Sequence, residues 1–367
     1  MPEFSVTDSA HMARALRLAE RGRYTAHPNP LVGCVLVRDG VVVGEGWHEK
    51  TGDAHAEVNA LRAAGNKAHG ATAYVTLEPC AHLGKTPPCT SALIDAGIAR
   101  VVAAMQDPNP SVAGGGLEVL GGAGIDVQLG LMRDTAMQLN PGFIKRVTHR
   151  RPFVRVKVAC SLDGAIAMSS GESQWITGPE ARDDVHRLRA RSGAVLTGIG
   201  TVLADDPSLN VRNEKIETGG LQPLRVVLDS QLRMPTAARM LSLAGTTLVC
   251  CVGKQAGDFV AADAEVHSFP AVDGHVDADA VFVELAQRDI NEVLVEAGPA
   301  LVGHLLERNL VDELVIYQAP HIMGSQTKQF AETPGWTMLA DRLDLDIIDV
   351  RCVGSDTRIT AIPYRKE

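Results

Sequence analysis

His55 and Glu57 flank one alanine in HAEV, and Cys80 and Cys89 bracket the eight-residue stretch AHLGKTPP. One imidazole and two thiolates form a borderline-soft donor set suited to Zn²⁺. Three protein ligands leave the fourth tetrahedral position to water, and bound Zn²⁺ lowers that water's pKa towards about 7, giving hydroxide at neutral pH. Glu57 is then a proton carrier and not a ligand, taking the proton from water and returning it to a leaving nitrogen. His82, two residues past Cys80, offers a rival arrangement: a closed structural site with four ligands. Unliganded buried thiols are another alternative, and a disulfide a third. Seven cysteines, an odd number, with no export signal at the N-terminus point to a reducing cytoplasm and away from the disulfide.

Elements that alternate strand and helix must bring these residues together. LVGCVLVRDG and VVVGEGWHE read as a hairpin turning at Asp39-Gly40, followed by a helix, HAEVNALRAAG, ending at Gly65. A strand ATAYVTLEPC, a helix TSALIDAGI and a strand RVVAAMQD come next, so strand ends and helix starts share one rim, where ligands gather. At the N-terminus a helix begins at Thr7, Asp8 or Ser9, turns Met12, Leu16 and Ala19 to one face, and stops at Gly22. A Gly-rich stretch, DPNPSVAGGGLEVLGGAGIDV, precedes a short helix, and the basic run KRVTHRR at 145–151 is the linker candidate, giving domains 1–147 and 148–367. The second half restarts with six strands, FVRVKVACSLDG, GAVLTGIG, LRVVLDS, TTLVCCVG, NEVLVEAG and DELVIYQAP, and helical crossovers, the pattern of a mostly parallel sheet. The chain has 367 residues, 45% of them hydrophobic, and a net charge of −9, which argues for a globular protein without a general grip on nucleic acid. No apolar run reaches membrane-spanning length.

Outside the cysteines, an H-x-E with a downstream Pro-Cys and a second Cys is the arrangement of zinc deaminases acting on nucleobases. Two residues separate the thiols there and eight do here. The longer loop brings in Lys85, a cation suited to a phosphate or a polar ring oxygen. In HPNPLVG, Asn29 precedes a strand, where its amide can read a pyrimidine edge by paired hydrogen bonds. A turn residue between prolines is the equal alternative. In the second half, TGIGTVLADDP and the Gly-Pro turn of VLVEAGPALVGHLLE offer backbone N–H groups to a phosphate, although the first, taken alone, reads better as plain loop. Glu296 ends a strand where a carboxylate can bind substrate hydroxyls. Arg189 and Arg212 are forks for a ribose phosphate, while Arg187 and Arg191 read as a solvated helix face. Lys157 and Asp206 are candidates for a general acid by chemistry alone, and a salt bridge or a cap explains each as well.

HPNPLVGCV, GWHEKTGDAHAEVNAL and EPCAHLGKTPPC together resemble the deaminase half of the bifunctional riboflavin-biosynthesis deaminase/reductase, the RibD family. VKVACSLDGAIA, GESQWITG, HRLRARSGAVLTGIGTVLADDPSLNVR and VLVEAGPALVGHLLERNLVDEL resemble its reductase half, so the likeness runs from about residue 9 to about residue 320. The resemblance implies an α/β chain with an N-terminal cytidine-deaminase-like three-layer domain and a C-terminal dihydrofolate-reductase-like domain. By position it assigns Ser173, Arg189, Leu209, Arg212 and Glu296 to substrate. It assigns Ala159, Trp175, Thr201, Asp205, Ser230 and the turn at Gly298 to NADPH; for Trp175 a core aromatic is the alternative. Ala297 stands where the family usually has glycine. The implied substrate is a small pyrimidine ribosyl phosphate, first deaminated and then reduced, in a cytoplasmic homodimer or homotetramer. A tRNA or nucleobase deaminase and a non-enzymatic zinc-stabilised binding protein are the rival classes.

Overall fold

Apolar runs punctuated by glycine and proline become strands in both halves of the chain. The computed structural model describes residues 4–81, 87–110, 112–253, 264–333 and 336–364. They form two units, 1–150 and 151–367.

The first unit runs α1 (Val6–Ala19), β1 (Gly33–Arg38), β2 (Val41–Trp47), α2 (Ala56–Ala64), β3 (Thr72–Val75), α3 (Cys89–Asp95), β4 (Arg100–Ala103), α4 (Gly115–Gly122), β5 (Asp126–Leu129), α5 (Arg133–Leu139) and α6 (Pro141–His149). Among the described residues its sheet has the order β2-β1-β3-β4-β5, with β1 antiparallel to both neighbours and β3, β4 and β5 parallel. Alternate strand residues feed two apolar layers. Cys34, Leu36, Ala73 and Val101 pack with Ala56 and Ala60 of α2 and Leu93 of α3, while Val35, Tyr74 and Val102 pack with Met12 and Leu16 of α1. Helices therefore cover both faces, in three layers. A Cβ on Gly44 or Gly46 of β2 would overlap main-chain atoms of Ala60, so these glycines let α2 lie directly on the strand. That contact fixes the first turn of α2, which carries Glu57 and follows His55.

Two local expectations are corrected here and one is extended. Ser5, not Thr7, Asp8 or Ser9, caps α1: its side chain accepts from the Asp8 N–H while the Asp8 carboxylate accepts from the Ser5 N–H. The Gly-rich stretch does precede a short helix, α5, but it also holds α4 and the start of β5. The basic run at 145–151 is helix as far as His149, and the chain leaves α6 through Arg150 at φ 56°.

The second unit runs β6 (Phe153–Ser161), β7 (Ala165–Met168), α7 (Pro179–Arg191), β8 (Ala194–Gly198), α8 (Ile199–Asp205), β9 (Leu224–Leu228), β10 (Thr247–Cys251), β11 (Ala264–Ser268), β12 (Ala271–Val272), β13 (His275–Val276), α9 (Ala278–Gln287), β14 (Glu292–Val295), α10 (Pro299–Glu307), β15 (Glu313–Ala319), β16 (Thr327–Gln329), β17 (Asp344–Val353) and β18 (Asp356–Tyr364). Its main sheet has the order β11-β10-β9-β8-β14-β6-β15-β18-β17, parallel from β11 to β15 and antiparallel at β18 and β17. The six strands read from sequence are all present. Their two faces feed separate apolar clusters, which is why those strands are apolar throughout. TGIGTVLADDP is not plain loop: it passes from the end of β8 into α8.

Candidate active site

His55 immediately precedes α2 in extended backbone, φ −72° and ψ 166°, and its ring makes no capping hydrogen bond. Its Nδ1 lies 3.2 Å from Cys89 Sγ and 3.6 Å from Cys80 Sγ. Cys89 opens α3, whereas Cys80 lies in the loop beyond β3 and not on the strand end that the sequence suggested. The Thr90 N–H donates to the Cys80 carbonyl at 3.2 Å and the Cys89 N–H to Cys80 Sγ at 3.4 Å, tying the two cysteines together. The three potential ligand atoms lie within 4.8 Å of one another. The hydrogen bond from Cys89 dominates at Cys80 and, with His55, draws its thiol down to about 4 despite burial. Hydrogen bonding to Cys80 and burial keep Cys89 in its thiol form. A second thiolate here needs a cation beside it, so the donor set fits Zn²⁺.

Glu57 is only 3% exposed, and burial raises its carboxyl to about 7. Its Oε2 is buried with no hydrogen-bond partner among the described residues. An unsatisfied buried carboxyl oxygen beside this three-donor set suits a proton carrier better than a structural group. Lys85, and His82 with the closed-site alternative, lie outside the described residues.

Asn29 sits in a turn, the plainer of its two sequence readings, and its amide is engaged by a histidine. Its backbone N–H closes a turn on Ala26 at 2.9 Å, while its Nδ2 donates to His48 Nε2 at 3.0 Å. With Nε2 accepting, His48 carries its proton on Nδ1, which donates to the Ala54 carbonyl at 3.2 Å. The His48 ring stands edge-on to His55, centroids 5.4 Å apart. Burial lowers the His48 pKa, so it is a neutral wall of the site. Sequence reasoning passed over His48, although it stands within GWHEKTG.

In the second unit a cavity of about 1390 Å³ opens beside the ends of β6, β8, β9 and β14. Of the residues matched to substrate, Ser173, Arg189, Leu209, Arg212 and Glu296 all line it. So do those matched to the dinucleotide: Ala159, Trp175, Thr201, Asp205, Ser230 and Gly298. Arg189 grips Glu296 with Nε at 2.6 Å and Nη2 at 3.0 Å, and its Nη1 donates to the Asn210 carbonyl at 3.1 Å. Lys157 Nζ lies 4.0 Å from the same carboxylate, and burial lowers its pKa. Asp206 instead accepts from the Arg239 N–H at 2.8 Å. Ser173 hydrogen-bonds Asp205, and the Ser230 hydroxyl accepts from the Val276 N–H at 3.0 Å. Trp175 is 67% exposed and stacked on the Arg182 guanidinium at 4.7 Å, so it is not a core aromatic. Gly298 caps α10 in extended backbone, and Ala297 packs its methyl against the core. Arg191, read as solvated, pairs with Glu292 at 3.1 Å.

Comparison with known proteins gives the same division. The model for the cytidine and deoxycytidylate deaminase zinc-binding region matches residues 5–105, and that for the RibD C-terminal domain matches 152–359. The riboflavin biosynthesis protein RibD of Escherichia coli (strain K12) is 51% identical over 95% of this chain and 97% of its own length. That of Haemophilus influenzae is 48% identical over 99% of both. Among solved structures, Acinetobacter baumannii RibD matches with a TM-score of 0.91 and 44% identity, covering 98% of this chain and 99% of that one. A Thermotoga maritima diaminohydroxyphosphoribosylaminopyrimidine deaminase/5-amino-6-(5-phosphoribosylamino)uracil reductase matches at 0.87 and 34%, with 98% and 99% covered. Among the described residues no helix is long and apolar enough to cross a membrane.

Proposed function

The chain belongs to the RibD family and is a bifunctional deaminase and reductase of riboflavin biosynthesis, and on that premise we propose how its residues divide the work. Residues 1–147 form the zinc-dependent deaminase domain and 148–367 the NADPH-dependent reductase domain. The substrate is 2,5-diamino-6-ribosylamino-4(3H)-pyrimidinone 5′-phosphate, and the final product is 5-amino-6-(5-phosphoribitylamino)uracil.

His55, Cys80 and Cys89 hold the metal. Zn²⁺ bound there supplies Lewis acidity and lowers the pKa of a water towards about 7. Glu57 would take a proton from the water as its oxygen adds to the amino-bearing ring carbon and would deliver that proton to the amino nitrogen, so that the C–N bond breaks and ammonia leaves as a neutral molecule. Asn29, oriented through His48, reads the pyrimidine edge, and Lys85 takes the phosphate or a ring oxygen. In the second domain the cavity residues would hold NADPH, which when bound would supply the hydride for reduction at the ribosyl C1′, with O4′ needing a proton as its bond to C1′ opens. Lys157, half-buried beside Glu296, is the proton source there. Glu296 accepts from substrate hydroxyls and is oriented by Arg189, while Arg212, with Ser173 and Leu209, holds the phosphate end. The dinucleotide lies along Ala159, Trp175, Thr201, Asp205, Ser230 and Gly298. Seven cysteines with no disulfide among them support a cytoplasmic location, and the exposed apolar edge of β17 supports a homodimer or homotetramer.

The observation that carries this reading is the His-Cys-Cys cluster beside an unpartnered Glu57 oxygen. A paired assay tests it: ammonia release from the diaminopyrimidinone phosphate, and NADPH oxidation with the deaminated product. Glu57→Gln should lower the first by about 10³-fold or more, which is what loss of acid–base catalysis costs, and leave the second intact. Loss of both with deaminated substrate supplied would refute the division of labour.

A further inference from the structure

Glu78 is 4% exposed and takes no part in the chemistry above. Its carboxylate crosses to the chain that leads into α4. Oε2 accepts from the Asp107 and Gly114 N–H groups, each at 3.0 Å, and Oε1 from those of Gly116 at 2.8 Å and Leu117 at 3.3 Å. Four backbone donors converge on one charge, placed where the helix dipole favours it. A separate observation concerns the peptide next along the chain. A Cβ on Gly116 would overlap the Pro79 carbonyl oxygen, so α4 rests directly on the link between Glu78 and Cys80. Cys80 is tied from its other side to α3, where the Thr90 N–H and hydroxyl donate to its carbonyl at 3.2 and 3.3 Å.

We propose that Glu78 is a positioning residue for the metal centre: its carboxylate clamps the Glu78-Pro79-Cys80 segment to α4 and so presets Cys80 Sγ beside His55 and Cys89. The inference rests on the reading of those three residues as zinc ligands. A thiolate on an unclamped loop must be ordered each time metal binds, which raises the free energy of the bound state and speeds release. Groups that orient metal ligands typically alter metal affinity about 10- to 100-fold when removed.

The full-length chain tests this in four forms: wild type, Glu78→Ala, Glu78→Gln and Gly116→Ala. Zinc transfer to a chromogenic chelator gives the release rate, and Co²⁺ substitution gives a visible spectrum sensitive to thiolate geometry. NADPH oxidation with deaminated substrate reports independently that the second unit is intact. Glu78→Ala should release zinc about 10- to 100-fold faster and shift the cobalt bands. Glu78→Gln should fall between it and wild type, because one amide oxygen still accepts from backbone. Gly116→Ala, which keeps the carboxylate but displaces Pro79, should also release zinc faster. Wild-type release rates and spectra in Glu78→Ala would overturn the proposal. If that variant fails to fold, wild-type behaviour of both Glu78→Gln and Gly116→Ala would overturn it instead. Absence of thiolate–cobalt bands in the wild type would strike the zinc-ligand reading itself, a different failure from an unclamped but metal-loaded site.

Discussion

Glu296 is largely shielded from solvent yet ionised. Burial pushes its carboxyl up, but the Arg189 guanidinium and the nearby Lys157 outweigh that and hold it at about 2. A largely desolvated pair of this kind is sensitive to loss of either partner, because the charge left behind is uncompensated. Glu296→Gln keeps the shape and removes the charge; NADPH oxidation should fall by about 100-fold, roughly the weight of a charged hydrogen bond left unmade, with ammonia release unchanged. A normal reductase rate would remove Glu296 from the site. Arg212→Ala should act differently, raising KM for the deaminated phosphate about tenfold or more with a smaller effect on kcat. The three clustered donor residues were legible because their types and spacing lie within HAEV and EPCAHLGKTPPC. The cavity residues were not: Ala159, Trp175, Thr201 and Ser230 carry no distinctive chemistry, and only family resemblance collected them. The Arg189–Glu296 pair lies 107 residues apart in sequence, so its geometry had no local signature.

At the level of elements, the deaminase centre depends on how closely α2 approaches β2. Gly46 faces main-chain atoms of Ala56 and Ala60, and an added methyl has no flexible side chain to displace. Gly46→Ala should destabilise the first unit by about 1–3 kcal/mol through overpacking and lower ammonia release, because the turn carrying Glu57 must move. Separate thermal unfolding and ammonia assays check this; unchanged values in both would mean that the contact is slack. Helices and strands with strong periodicity were readable, including the hairpin, whose Asp39 and Gly40 both adopt positive φ. Helix α4 was hidden by its glycines, one of which is needed for contact and not for a turn. Strands β17 and β18 were missed because the outer strand, β17, is largely exposed and shows no clean alternation of buried and exposed residues. Ser5 was overlooked as a cap because its partner is Asp8 and not the more familiar Glu or Gln.

Across the whole molecule the two units carry different liabilities. In the second unit Arg155 bridges strands, donating to Glu292 of β14 at 2.8 Å and to Glu313 of β15, while Arg191 reaches Glu292 from α7. Arg191 and Arg155 hold Glu292 near 2 against burial, below its ordinary 4.5. Between those pH values the unfolded chain binds protons that the folded unit refuses, so stability falls as the pH drops from about 4.5 towards 2. Thermal unfolding of the second unit should show that slope, and Glu292→Gln should flatten it while destabilising the unit at neutral pH. An unchanged slope in the variant would assign the acid response elsewhere. The two-part organisation was visible in the restart of strand–helix alternation, but the stretch read as linker is mostly helix, since a basic amphipathic helix end and a basic linker share composition. Zinc-edge X-ray absorption of the full-length chain tests the central claim most directly. One zinc per chain with one nitrogen, two sulfurs and one light solvent oxygen is the expected result. A fourth protein ligand, or no stoichiometric zinc in an active deaminase, would contradict it.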